Sequence, residues 1–280
     1  MPDNSEDVLK GVYIPPQPKL VDEIQLAGTN LDDIAACIRS DPGVSAAVLK
    51  TVNSPFFGLK SPLVSIDQAV ILLGIERVVN IVKSMMLRAS MEEIETSFNM
   101  ENFWESSSAV AIVSSAICRQ LNLGLTDEAY TLGLFHNVGI PIIAQKVKNY
   151  EEILSECYSR EDGGIVREEF RRIGMHHAAA GYRLTRVWKL PKLISQAVQN
   201  HHSVDRLLDD SSIENPKLKS LVSVLKVSEN MVKLHWRLGG VDKDYEWDNI
   251  KISVLGFLGL SEYDQDDLED AVSYTLGGIP

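Results

Sequence analysis

From Pro18 onward, apolar residues recur three and four positions apart and almost nothing alternates with period two, so the chain reads as a succession of α-helices without strands. Leu20, Ile24 and Ala27 mark a first amphipathic helix ended by Gly28. Asn30 is placed to cap a second over 31–39, with Asp32 and Asp33 favourably set in its first turn. Asp41-Pro42 opens a third, a capping Asp followed by a proline at the first helical position. Val44, Ala47, Val48 and Thr51 share a face of it, and Asn53-Ser54-Pro55 stops it, which makes 53–62 a loop. Ser65-Ile66-Asp67-Gln68 has the form of a capping box, in which the Ser and Gln side chains satisfy each other's backbone N–H groups, and Gly74 closes the short helix that follows.

Longer helices are expected over 75–89 and 103–121, the second rich in Ala, Ser and Val and therefore suited to close helix contacts at the centre of the fold. Thr126 can cap a helix over 127–137, and Pro141 forces a break beyond it. Further helical patterns span 150–158, 166–173, 178–188, 191–202 and, as one long element, 217–236. The remainder, from Trp247 to Tyr274, mixes apolar positions with acids and reads as small helices. The fold class is therefore all-α. With 280 residues, two lobes without a long flexible linker are expected.

Composition narrows the class of protein. With 45% hydrophobic and 24% charged residues the chain can bury a real core, which excludes disorder. The longest apolar run, Ala69 to Ile75, is far short of the ~20 residues of a bilayer helix. The acidic start, Met1 to Asp7, lacks the features of a signal peptide, so a cytoplasmic protein without membrane association is expected. Cys37, Cys118 and Cys157 are widely separated and read as reduced thiols. Of the formal charge of −12, residues 241–280 carry −8. An acidic chain without a basic-aromatic stripe argues against nucleic acid as a partner.

The six histidines carry the candidate chemistry: His136, His176, His177, His201, His202 and His235. Neighbouring helical residues point roughly 100° apart, so one member of each adjacent pair is expected to face a shared centre with His136. A divalent ion on such a scaffold wants carboxylates beside the imidazoles. His136 is followed by the neutral Asn137, and Glu229 is the acid that spacing places nearest. By residue type alone, packed histidines are commoner than metal ligands. Gly133, Gly139 and Gly174 form no phosphate loop and are better explained by close packing or helix ending. Arg167, Arg171 and Arg172 beside Glu168 and Glu169 read as ion pairs on a solvated face. Ser106-Ser107-Ser108 reads as small packing residues, and Trp104 and Trp188 as core anchors.

In their order along the chain these residues resemble the HDOD domain, the HD-related output domain of bacterial signalling proteins. The resemblance rests on Asp41-Pro42, on Asn53 to Gly58, on Ser65 to Val70 and on Leu73-Gly74. It continues at Phe103-Trp104, Gly133 to Gly139, Gly174 to His177, Trp188 to Pro191 and His201-His202. It implies an N-terminal helical lobe (13–97), a bundle related to the HD phosphohydrolases (98–236) and, beyond it, an acidic helical extension (237–280). In HD enzymes histidines and aspartates hold one or two metal ions that activate water. Here Ser106 stands about where the first histidine would be, Asn137 replaces the aspartate of the His-Asp pair, and Glu229 sits about where the final aspartate would. His136, His177 and His201 or His202 remain. The resemblance thus implies a non-catalytic regulatory module without a metal, acting on signalling proteins in trans or on a small regulatory ligand. The alternative is a metal-dependent phosphohydrolase acting on a nucleotide or cyclic dinucleotide, with Mn, Fe or Zn held by His136, His177, His201, His202 and Glu229.

Overall fold

The computed structural model describes residues 13–53, 59–92, 96, 98–210 and 214–276, and among them there are helices and no strands. The chain divides into two compact units, one built on residues 15–94 and the other on 95–274. The loop motif Ser54 to Gly58 lies outside the described residues.

The first unit holds α1 (Lys19–Leu26), α2 (Leu31–Arg39), α3 (Pro42–Val52), α4 (Ile66–Leu73) and α5 (Ile75–Glu92). Local hydrogen bonding sets its helix starts. Asn30 Oδ1 accepts from the N–H groups of Asp32 and Asp33, and Asp41 Oδ1 from that of Val44. Ser65 Oγ accepts from Gln68 N–H, but the Gln68 side chain reaches back one residue further than a capping box requires, to the N–H of Val64. Ile34, Ile38, Val48, Val52, Ala69 and Val70 are buried, and α2 packs against α1, α3 and α4.

The second unit begins with α6 (Met100–Gln120), whose Ala, Ser and Val face is buried and packs along α7 (Thr126–Phe135). Thr126 lies inside α7 and does not cap it; its carbonyl instead accepts from Ser115 Oγ. After the turn His136-Asn137-Val138 come α8 (Gly139–Ala144), with Pro141 accommodated in its first turn, α9 (Tyr150–Tyr158), α10 (Ile165–Ile173), α11 (His177–Val187) and α12 (Lys192–Asn200). A short α13 (Val204–Asp209) follows, which the periodicity does not predict.

The helix expected over 217–236 is two: α14 (Pro216–Met231) and α15 (Leu234–Gly239). Lys233 takes a left-handed conformation between them at φ +54°, and Arg237 Nε donates to the freed carbonyl of Val232. The C-terminal segment forms two full helices, α16 (Tyr245–Leu258), capped by Asp244, and α17 (Glu262–Leu276). α14 is the hub, packed against α6, α7, α12 and α16.

Trp104 and Trp188 are buried, as are the free thiols Cys118 and Cys157, and burial pushes both thiols up to about 12. Cys37 is half-buried. No helix among the described residues is long and apolar enough to cross a membrane.

Candidate functional site

Two glycines build the frame. A Cβ on Gly133 would lie 2.4 Å from Ala111 Cα, and one on Gly139 would lie 1.9 Å from the carbonyl oxygen of His177. Without side chains there, α7 closes onto α6 and the start of α8 onto the start of α11, which carries the turn bearing His136 and Asn137 toward His177. His176 remains outside, where it caps α11 by accepting from Ala179 N–H. His201 and His202 follow the last residue of α12, and both face the centre. The expectation of one histidine per pair therefore fails for the second pair, whose rings lie side by side with centroids 4.2 Å apart.

Each of four imidazoles is held by its Nδ1. His136 Nδ1 lies 2.7 Å from the Gly133 carbonyl and His201 Nδ1 2.7 Å from that of Val198. His177 Nδ1 lies 2.6 Å from Glu169 Oε2, and His202 Nδ1 2.7 Å from Glu246 Oε1. Carbonyls and ionised carboxylates only accept, so Nδ1 of His136, His177 and His201 carries the proton and Nε2 of each of these rings, when neutral, is a bare lone pair, whereas His202 Nδ1 faces both the Glu246 carboxylate and the Lys226 ammonium. Those lone pairs converge. His177 Nε2 is 3.3 Å from His201 Nε2 and 3.0 Å from His202 Nε2, and Asn137 Oδ1 is 3.3 Å from His201 Nε2. His136 Nε2 and Glu229 Oε1, both buried and without a hydrogen-bond partner, face each other at 3.5 Å. The centre has a surplus of acceptors.

Besides Glu229, its charged groups are Glu169, Lys226 and Glu246, none of which the sequence alone assigns to the centre. Glu169, read above as part of a solvated face, turns inward, is fully buried and accepts from both His177 and Tyr150. Only Glu168 behaves as expected, pairing outward with Arg171, Arg172 and Arg160. Lys226, 2% exposed, places Nζ 2.7 Å from Glu229 Oε2, 2.9 Å from Glu246 Oε2 and 3.3 Å from His202 Nδ1. Nothing local in the sequence says that the side chains of Lys226, Glu229 and Glu246 meet.

Burial holds His136, His201 and His202 neutral. It pushes the His136 imidazole down to about 3 against the pull of the Gly133 carbonyl, and with Lys226 nearby it drives His201 and His202 well below the usual range. Burial likewise presses Lys226 toward neutrality, but the two carboxylates outweigh it and its pKa stands raised. Two acids sharing one ammonium cannot both ionise freely, and burial lifts Glu229 to about 7.

The Nε2 atoms of His177, His201 and His202 could together take one cation. Imidazoles whose Nδ1–H groups are tied to carboxylates and carbonyls have the second-sphere order of metal-ligating histidines, so the donor set fits a single divalent transition ion. Glu229 lies beside that set through His136, while Glu246 is committed to His202 and Lys226. Ser106 is buried on α6 with its Oγ unpartnered, and no hydrogen bond joins it to the histidines. A cavity of about 300 Å³ reaches the centre from outside, lined by Arg167, Ser203, Arg206 and Asn249 and touching His202 and Glu246.

The family model of the HDOD domain matches residues 14–204. Among solved structures, an HDOD domain protein of unknown function from Geobacter sulfurreducens is 21% identical, with a TM-score of 0.69 over 97% of this chain and 96% of that one. A candidate phosphohydrolase from Shewanella amazonensis SB2B is 21% identical, with a TM-score of 0.67 over 96% of this chain and 94% of that one. A candidate signal transduction protein from Marinobacter aquaeolei VT8 is 18% identical, with a TM-score of 0.65 over 99% of this chain and 61% of that one. These likenesses establish the helical fold. An uncharacterized protein of Treponema pallidum (strain Nichols) is 22% identical over 259 residues, 90% of this chain, and the chain spans about half (47%) of its length.

Proposed function

This chain belongs to the HDOD domain family, and on that premise we propose that it is a non-catalytic regulatory module of bacterial signal transduction, acting by binding signalling proteins or a small ligand. One observation carries the reading: of the converging imidazoles only His202 meets the cavity, and the others are buried. His136, His177 and His201 have no solvent exposure, and Asn137 has 1%. Hydrolysis of a phosphoester needs the substrate oxygen and the attacking water at the same ion or base, within about 3 Å. A cluster reached only at His202 gives the two no shared approach. The cavity beside it touches only His202 and Glu246 of the centre.

A second reading, a metal-dependent phosphohydrolase, draws on the donor chemistry. His177, His201 and His202, with His136 and Glu229 adjacent, would hold the ion, which when bound would act as a Lewis acid and lower the pKa of a bound water. The chain's own groups would orient it: Glu169 fixes His177, the Val198 carbonyl fixes His201, and Glu246 fixes His202.

One assay separates the readings. The purified chain is incubated in turn with manganese, ferrous iron and zinc, then with bis(4-nitrophenyl) phosphate and with a cyclic dinucleotide. The regulatory reading expects rates no higher than those of His177→Ala. Metal-dependent turnover that His177→Ala abolishes would replace it with the hydrolase.

A further inference from the structure

Glu229 on α14 and Glu246 on α16 come from neighbouring helices, yet each sends its Oε2 to one buried point, at 2.7 and 2.9 Å from Lys226 Nζ. Two carboxylates meeting in a helical interior need a positive charge between them, and proteins commonly supply it as a hard divalent ion bound through oxygen. Here the chain supplies it. Lys226 lies three residues before Glu229, one turn earlier on the same face of α14, so its ammonium is delivered by the helix that delivers the acid.

We propose that Lys226 is a tethered cation that fills the carboxylate half of the centre, and that removing it uncovers a latent site for one oxygen-liganded divalent ion. The geometry is specific. With the ammonium gone, Glu229 and Glu246 would present two Oε2 atoms in a buried space, and Glu229 Oε1 and His136 Nε2, already unpartnered, stand beside them. Two carboxylates and one imidazole suit manganese better than they suit a soft ion. In the native chain an ion would have to displace an ammonium that cannot leave, because its stem is fixed in α14. The half-site is therefore permanently occupied, and α16 stays docked through Glu246 without any metal. The inference stands on the carboxylate geometry and holds whether or not the chain turns over a phosphoester.

The test counts manganese ions on the whole chain, by the electron paramagnetic resonance of free Mn²⁺ at equilibrium, for native protein, Glu246→Gln, Lys226→Met and the double variant. Lys226→Met is expected to bind one ion more than native protein, and adding Glu246→Gln to remove that ion. Equal counts for Lys226→Met and native protein would overturn the proposal, and so would an additional ion in Lys226→Met that persists when Glu246→Gln is added. Should Lys226→Met lose its helical circular dichroism, manganese is expected to restore it, and failure to do so also overturns the proposal.

Discussion

Glu169 Oε2 lies 2.6 Å from His177 Nδ1 with both side chains fully buried, and the same carboxylate accepts from Tyr150. It fixes which nitrogen of His177 carries the proton and so aims Nε2 at His201 and His202. Glu169→Ala leaves three buried donors without that partner: the Tyr150 hydroxyl, His177 Nδ1–H and the His177 backbone N–H. At about 1–3 kcal/mol for each unsatisfied group, a loss of several kcal/mol is expected in urea unfolding, with Glu169→Gln losing less. A cost under about 1 kcal/mol for Glu169→Ala would mean that the dyad does not organise the centre.

The frame is tested at Gly139, with Gly256 as an unconstrained control. Gly139→Ala drives a methyl into the His177 carbonyl and should cost at least about 1–3 kcal/mol, since backbone lies on both sides and cannot yield cheaply. Gly256, within α16, has nothing within 4 Å of a built Cβ, so Gly256→Ala should stabilise by roughly 0.5–1 kcal/mol. Thermal unfolding of the two variants should move in opposite directions.

Stability should fall as the pH drops below 6.5. His136, His201 and His202 are held neutral by burial, with folded pKa values below that of the unfolded chain, so the unfolded state takes up protons first. Glu229 and Glu246 act in the opposite sense. Their folded pKa values are raised by burial, so they bind protons in the folded state before the unfolded chain does. Three imidazoles against two carboxylates leave the net slope positive. Urea midpoints at pH 7.5 and 5.5 measure it, and a flat or inverted profile would show that the histidines titrate as if exposed.

At lower pH a second loss is expected from Glu168. Hydrogen bonds from Arg171 and Arg172 hold its carboxyl down at about 2, below the unfolded value of 4.5. Its contribution is complete above 4.5 and disappears as the pH falls through 2, and salt should weaken it because the arginines face solvent. Glu168→Gln should remove that part of the acid limb while leaving the slope near pH 6 unchanged.

Much of this protein was settled by the sequence alone, where the physics is local. Asn30, Asp41 and Ser65 start helices because a side-chain oxygen two or three residues away can take an orphan N–H, and Gly74 ends one because its φ of +85° is open to glycine. The histidines that converge were visible for the same reason, as short motifs at helix ends. What tertiary structure decided was the fate of charge. Lys226, Glu169 and Glu246 sit in stretches of ordinary helical polarity, where a charged residue reads as solvated until another helix covers it. Only the packing of α14 against α16 makes Lys226 and Glu246 partners across 20 residues, and only the assembled centre brings the rings of both His201 and His202 beside that of His177. A buried charge is tolerable only with its counter-charge in place, and that counter-charge comes from wherever the fold brings it.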